Sequence, residues 1–228
     1  MRRVVTTLLG LAVASATGSA LAQDQFSSKG TFAISADRLF GLYITHTDLD
    51  YHTPVPTPAP LVHEELDSTE FGLLWQGATA LTPYSVPRAS VDYFVIDHLS
   101  LGGSLGVATT SASRTVGNGP YRADAGDQTG FLFGPRVGFA TMFGKVAGIW
   151  PRGGLTYYTF SGNGDLDNDQ LALTAEVMFV LSPAEGVAIL LGPTLDFGLT
   201  GNSDVGPFGA DLHTHAFGIF TAGLVGWL

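Results

Sequence analysis

Between Val187 and Leu199 the chain alternates with a period of two. Val187, Ile189, Leu191, Pro193, Leu195, Phe197 and Leu199 are apolar, and the positions between them are Ala188, Leu190, Gly192, Thr194, Asp196 and Gly198. Such a pattern predicts an extended strand with one greasy face and one face that tolerates a carboxylate. Strands in soluble sheets usually run to about five or six residues. This one is roughly twice as long, which is what a tilted strand needs to cross a bilayer. Leu190 is the single large residue on the otherwise small or polar face.

The design recurs along the chain. Gly30–Thr45 sets Phe32, Ile34, Ala36, Phe40, Leu42 and Ile44 against Thr31, Ala33, Ser35 and Asp37. Arg38 falls on the apolar side, where a cation facing lipid at mid-depth costs about 2–4 kcal/mol, so a bulge near Asp37-Arg38 is predicted to turn it inward. Arg88–Val95, Leu99–Thr109, Gly130–Phe143, Ile149–Ser161 and Gln170–Ser182 alternate in the same way, and His213–Leu228 does so less cleanly. Short connections at 96–98, 144–147 and 183–186 alternate with long polar ones at 110–129, 162–169 and 200–212. Outer-membrane barrels pair short turns at one end with long loops at the other.

The first connection is the least regular. His46–Asp67 contains P-V-P-T-P-A-P, whose prolines cannot donate to a ladder, and reads as a long solvated loop over about 46–68. Thr69–Gln76 looks like a short strand, best placed as a hairpin piece inside that loop, and a proline-containing break at Thr82–Pro87 follows. The expected fold is all-β, an antiparallel transmembrane β-barrel of eight strands. Counting 69–76 as a piece of the wall gives the alternative, ten.

Residues 1–22 read as a signal peptide: Arg2 and Arg3, an apolar run over Val4–Ala16, then Ala20-Leu21-Ala22 as the cleavage site. The barrel domain is then 23–228. Export with no further apolar run of helical length leaves periplasm, outer membrane or medium, and the barrel pattern selects the cell outer membrane. Removing Arg2 and Arg3 leaves eight basic against 20 acidic residues, a formal charge of −12, which excludes nucleic acid as a partner. There is no cysteine, and only 13% of residues are charged against 30 glycines, so wet surface is limited.

Taken together, the leader, the loop alternation and the closing stretch Ala222-Gly-Leu-Val-Gly-Trp-Leu228 resemble the small OmpA/OmpX-type outer-membrane barrels. The resemblance spans almost the whole mature chain as a pattern, without a specific motif. It implies a structural, adhesive or surface-interaction role with no catalysis. It also implies a last strand read by the outer-membrane insertion machinery, although here Leu228 follows the aromatic Trp227. No segment is expected beyond the barrel. Outer-membrane lipid is the other expected partner, and the extracellular ligand stays unassigned.

Charges inside a narrow barrel must pair, because side chains fill the lumen. Asp92, Arg136, Arg152, Glu176 and Asp196 all fall on inward positions. A hairpin centred near Gly164-Asp165 sets Arg152 beside Glu176, and Arg136 lies near Arg152 across the preceding turn. The prediction is a luminal network centred on Arg136, Arg152 and Glu176, with Asp196 and Asp92 as further acceptors. Trp150, Tyr157, Phe197 and Trp227 are expected to mark interfacial girdles.

No cofactor and no catalytic residue is assigned. The weak metal candidates are His213 and His215, two apart on one strand, and Asp165, Asp167 and Asp169, which begin like a calcium loop but have Gln170 where that loop needs glycine. His46, His52 and His63 could approach the same rim. The leading function is a non-enzymatic outer-membrane barrel acting through acidic loops. Its alternatives are a small pore or transporter, a rim lipid hydrolase, for which no serine stands beside His213 or His215, and a soluble lipocalin-like carrier, which would place its large apolar residues inside.

Overall fold

The protein is described by a computed structural model covering residues 26–52, 62–73, 83–115, 122–162, 166–205 and 208–228. The leader 1–22 lies outside these residues. The strands are β1 (Phe32–His52), β2 (Val62–Leu73), β3 (Arg88–Ile96), β4 (Leu99–Thr115), β5 (Arg122–Phe139), β6 (Thr141–Met142), β7 (Ala147–Gly162), β8 (Leu166–Ala184), β9 (Val187–Val205) and β10 (Phe208–Trp227). All ladders are antiparallel. Eight strands form the ring β1-β3-β4-β5-β7-β8-β9-β10, closed by the β10–β1 pairing.

β2 lies off this ring path. It pairs with β1 from Phe40 to Tyr51, while β3 pairs with β1 from Phe32 to Asp37. β2 and β3 therefore share one side of β1, end to end. This corrects the reading of 46–68 as loop: β1 continues to His52 and β2 starts at Val62, so only 53–61 lie between them, outside the described residues. The stretch 69–73 is the strand expected as a hairpin piece, and it stands outside the eight-strand ring as that reading required. The physical reason is general along this end. Ladder hydrogen bonds need no apolar face, so hairpins continue into water with polar side chains on their outer surface. The polar connections expected at 110–129, 162–169 and 200–212 are strand up to Thr115, from Arg122, from Leu166, up to Val205 and from Phe208.

The outer face of the barrel is greasy. Phe32, Ile34, Leu42, Ile44, Val91, Leu101, Phe133, Val137, Leu173, Phe179, Leu195, Phe197 and Leu224 are all exposed. An apolar belt of that extent is stable in lipid and not in water. Two irregularities keep it continuous. At Arg38 the backbone enters the left-handed region (φ 57°), the β1–β10 register shifts between Ala36 and Phe40, and the side chain turns inward to full burial. In β10 the register shifts between Gly218 and Thr221, so Phe217, Ile219 and Phe220 all face out. That bulge is why the alternation of the last strand reads poorly.

The lumen is filled in layers. Near the short turns, Phe26, Phe94, Trp150, Met178, Val180, Leu190 and Val225 form an apolar cluster. Leu190 thus faces inward because this layer is apolar. Trp150 is fully buried, which corrects its expected place in an interfacial girdle, and Trp227 packs edge-on against Phe26 at 5.2 Å. Tyr157 and Phe197 do face outward. Farther along the axis, a 3-10 turn at Pro83–Ser85 dips inside and packs Tyr84 against Ala172 and Ala216.

Candidate functional site

Between those layers lie four arginines and four carboxylates. The bulge aims Arg38 across the lumen, where Nη1 donates to Asp196 Oδ2 at 2.5 Å and Nη2 to Glu176 Oε1 at 3.0 Å. Arg136 grips Asp92 in a forked pair, at 3.1 Å through Nε and 2.5 Å through Nη2, and donates to Asp37 at 2.7 Å through Nη1. Arg152 stands opposite Glu176 in the β7–β8 ladder, with Nη2 2.7 Å from Glu176 Oε2 and Nη1 3.2 Å from Asp37 Oδ1. Arg88 reaches Asp196 at 3.7 Å.

Arg136, Arg152, Glu176, Asp196 and Asp92 therefore lie in one continuous network, together with Asp37, Arg38 and Arg88. The network is formally neutral and its members are buried, the condition under which burial of ions is tolerated. Ser90 and Thr174 supply further donors, to Asp37 and Asp196, each at 2.7 Å. Arg152 also lies over the Trp150 ring, 4.7 Å from its centroid, which links the ionic layer to the apolar one. On the opposite side the turn seals the network: the Tyr84 carbonyl accepts from Arg38 Nη1 at 2.6 Å, and its hydroxyl donates to Gln170 Oε1 at 2.5 Å. A cavity lined by Arg88, Arg136, Arg152 and Glu176 has a volume of about 10 Å³, room for one water.

The rim candidates fall on the outer surface. Inward positions of β10 are Leu212, Thr214 and Ala216, so His213 and His215 face outward. The His215 ring stacks on Phe197 at 4.3 Å and its Nδ1 accepts the Gly198 N–H at 3.1 Å, while His213 lies opposite Asp48. Asp165 lies outside the described residues. Asp167 and Asp169 sit on the outer face of strand β8, with Asp167 opposite Asp204. Among the described residues, convergent ligand atoms occur instead on the first hairpin, at Asp48, His63 and Glu65.

Arg38 was marked by its break in the apolar face, and Arg88 by its inward phase. Tyr84 had no periodic signal and is recognisable only as an aromatic between Pro83 and Pro87. Phe26 precedes the first alternation and carried no signal at all.

The outer-membrane protein OprG of Pseudomonas aeruginosa is similar in structure: its TM-score is 0.56 at 12% identity, covering 88% of this chain and 97% of that one. The fold is that of a small outer-membrane β-barrel. Neisserial surface protein A aligns with a TM-score of 0.47 at 10% identity, over 87% of this chain and 99% of its own. No family model and no curated protein sequence matches the chain.

Proposed function

We propose that the protein is a non-enzymatic barrel of the cell outer membrane, with a structural or surface-interaction role carried by its acidic outer hairpins. The observation that carries this reading is the division of charge. The luminal network is neutral, so the mature charge of −12 belongs to residues outside it. Asp50, Glu65, Asp67, Asp167 and Asp204 are exposed on the strand extensions beyond the apolar belt. A lumen filled in successive apolar, ionic and aromatic layers favours a wall and a display platform over a conduit. Liposome swelling tests it. Vesicles carrying the protein are expected to exclude small sugars and amino acids as protein-free vesicles do. Solute entry at a rate proportional to the protein content would overturn the reading in favour of a pore.

A further inference from the structure

The β1–β2 hairpin carries two imidazoles and four carboxylates on one face. In its ladder His46 lies opposite Asp67, Asp48 opposite Glu65, and Asp50 opposite His63. His46, Asp48, Asp50, His63, Glu65 and Asp67 all point outward, just beyond Ile44, where the apolar belt ends. Each imidazole is held through Nδ1, and His63 through Nε2 as well. His63 Nδ1 lies 2.7 Å from Asp50 Oδ1, and His46 Nδ1 lies 2.6 Å from Asp67 Oδ1. Both Nε2 atoms face a second carboxylate, His63 Nε2 3.2 Å from Glu65 Oε1 and His46 Nε2 3.2 Å from Asp48 Oδ1.

We infer that this face is a binding site for a divalent transition cation of the zinc type, held by Asp48, His63 and Glu65 with His46 alongside. Ligand atoms of Asp48, His63 and Glu65 lie within 4.8 Å of one another. A tetrahedral zinc shell, with bonds of about 2.0–2.2 Å, spaces its ligands roughly 3.4 Å apart. The 3.2 Å separation of His63 Nε2 from Glu65 Oε1 already matches that edge, and side-chain rotation would draw Asp48 in from within 4.8 Å. The Nδ1–carboxylate bonds are what a metal-binding histidine needs, since they orient the ring and raise the basicity of the far nitrogen.

An independent feature of the ladder agrees. Asp48 and Glu65 are like charges placed directly opposite one another, a destabilising arrangement that a bound cation would relieve. Imidazole with carboxylate is a donor set for zinc, copper or nickel and not for magnesium. His46 donates to Asp67, and His63 to Asp50 and Glu65, which holds both imidazoles above their ordinary range. A metal at these nitrogens competes with protons, so binding weakens in acid.

The test is calorimetry of the full barrel, folded in detergent, with zinc chloride in a mildly alkaline, non-chelating buffer. One zinc per chain is expected. His63→Ala should abolish the heat, and Asp50→Asn, which removes only the ring's support, should weaken affinity by roughly 10- to 100-fold. Asp167→Asn with Asp169→Asn, on β8, should leave affinity unchanged. Absence of zinc heat in the wild type, or an equal loss in the β8 variant, would overturn the site. Cobalt(II) gives a readout that needs no variant: visible absorption of four-coordinate cobalt is expected, and a spectrum like that of aqueous cobalt overturns the proposal. Because the lumen takes no part, failure here and solute entry in the swelling assay are separate outcomes.

Discussion

Arg38 and Asp196, 158 residues apart in the chain, meet across the lumen at 2.5 Å because a single left-handed residue in β1 breaks the pleat. With Glu176 as second acceptor, Arg38 ties β1 to β8 and β9, strands that neighbour it on neither side of the ring. Removing one partner of such a buried cluster leaves the others uncompensated. Glu176→Ala is expected to destabilise the barrel by about 3–5 kcal/mol, since both Arg38 and Arg152 lose a counter-charge. Urea unfolding from lipid vesicles measures this, with the exposed Asp167→Ala as a reference that changes by less than about 0.5 kcal/mol. Single-channel records of Glu176→Ala should match wild type, because the Phe26–Trp150 layer and the Tyr84 turn still close the lumen. A steady open level would make the network a gate.

Trp150 is expected to behave as an interior residue. In a barrel retaining Trp150 alone, with Trp75→Phe and Trp227→Phe, brominated lipids should leave its emission nearly unchanged, because its ring lies between Phe26 and the Arg152 guanidinium. Strong quenching would place the ring in the lipid belt. Trp150→Ala should cost about 3–5 kcal/mol, the range for removing a large buried aromatic ring.

The membrane-facing half of this fold was legible in the sequence because lipid imposes period two everywhere except at the bulges near Arg38 and Ile219. Phe32, Ile34, Leu195 and Phe197 had to be apolar, and Arg38 stood out as the residue that could not stay among them. Wherever water relaxes that demand, the signal goes. His46 to His52 and Val62 to Asp67 form ladder hydrogen bonds as good as those below them, yet their outward side chains are polar and read as loop. The inward face was legible where it carried charge, since Arg136, Arg152, Glu176, Asp92 and Asp196 need one another. It was obscure where the filling came from outside the alternation. Trp150 reads as an interfacial aromatic until Phe26 and Phe94 are seen packed against it, and Tyr84 belongs to no strand. The rim histidines illustrate a third limit. Spacing along one strand favoured His213 and His215, whereas convergence of Asp48, His63 and Glu65 depends on the register between two strands.

A closed ring with every wall strand paired should resist detergent without heating. On a gel run cold, the outer-membrane fraction is expected to show a band that migrates faster than the boiled chain, since the folded barrel is compact and opens slowly. Phe32 and Leu228 exchange both backbone bonds, at 2.9 and 3.1 Å, so the ring closes close to the end of the last strand. Deleting Trp227 and Leu228 should therefore lower the temperature at which the fast band converts to the slow one. An unchanged conversion temperature would show that these terminal bonds contribute nothing to closure.

Two glycines separate steric from conformational effects. A Cβ at Gly192 would overlap the Val177 carbonyl of the neighbouring strand, whereas one at Gly153 would meet only the Thr174 carbonyl at 3.6 Å, an ordinary contact. The Gly192 carbonyl accepts from the Thr221 hydroxyl at 2.7 Å, so it is held from the β10 side as well. Backbone atoms cannot rotate away as a side chain can. Gly192→Ala is therefore expected to push β8 and β9 apart and lower stability by about 1–3 kcal/mol, the range for overpacking. Gly153→Ala should be neutral or slightly stabilising, because alanine loses less chain entropy than glycine on folding. The two midpoints in urea, measured in the same vesicles, decide the matter: equal shifts would mean that close strand approach at Gly192 does not limit the packing of this wall.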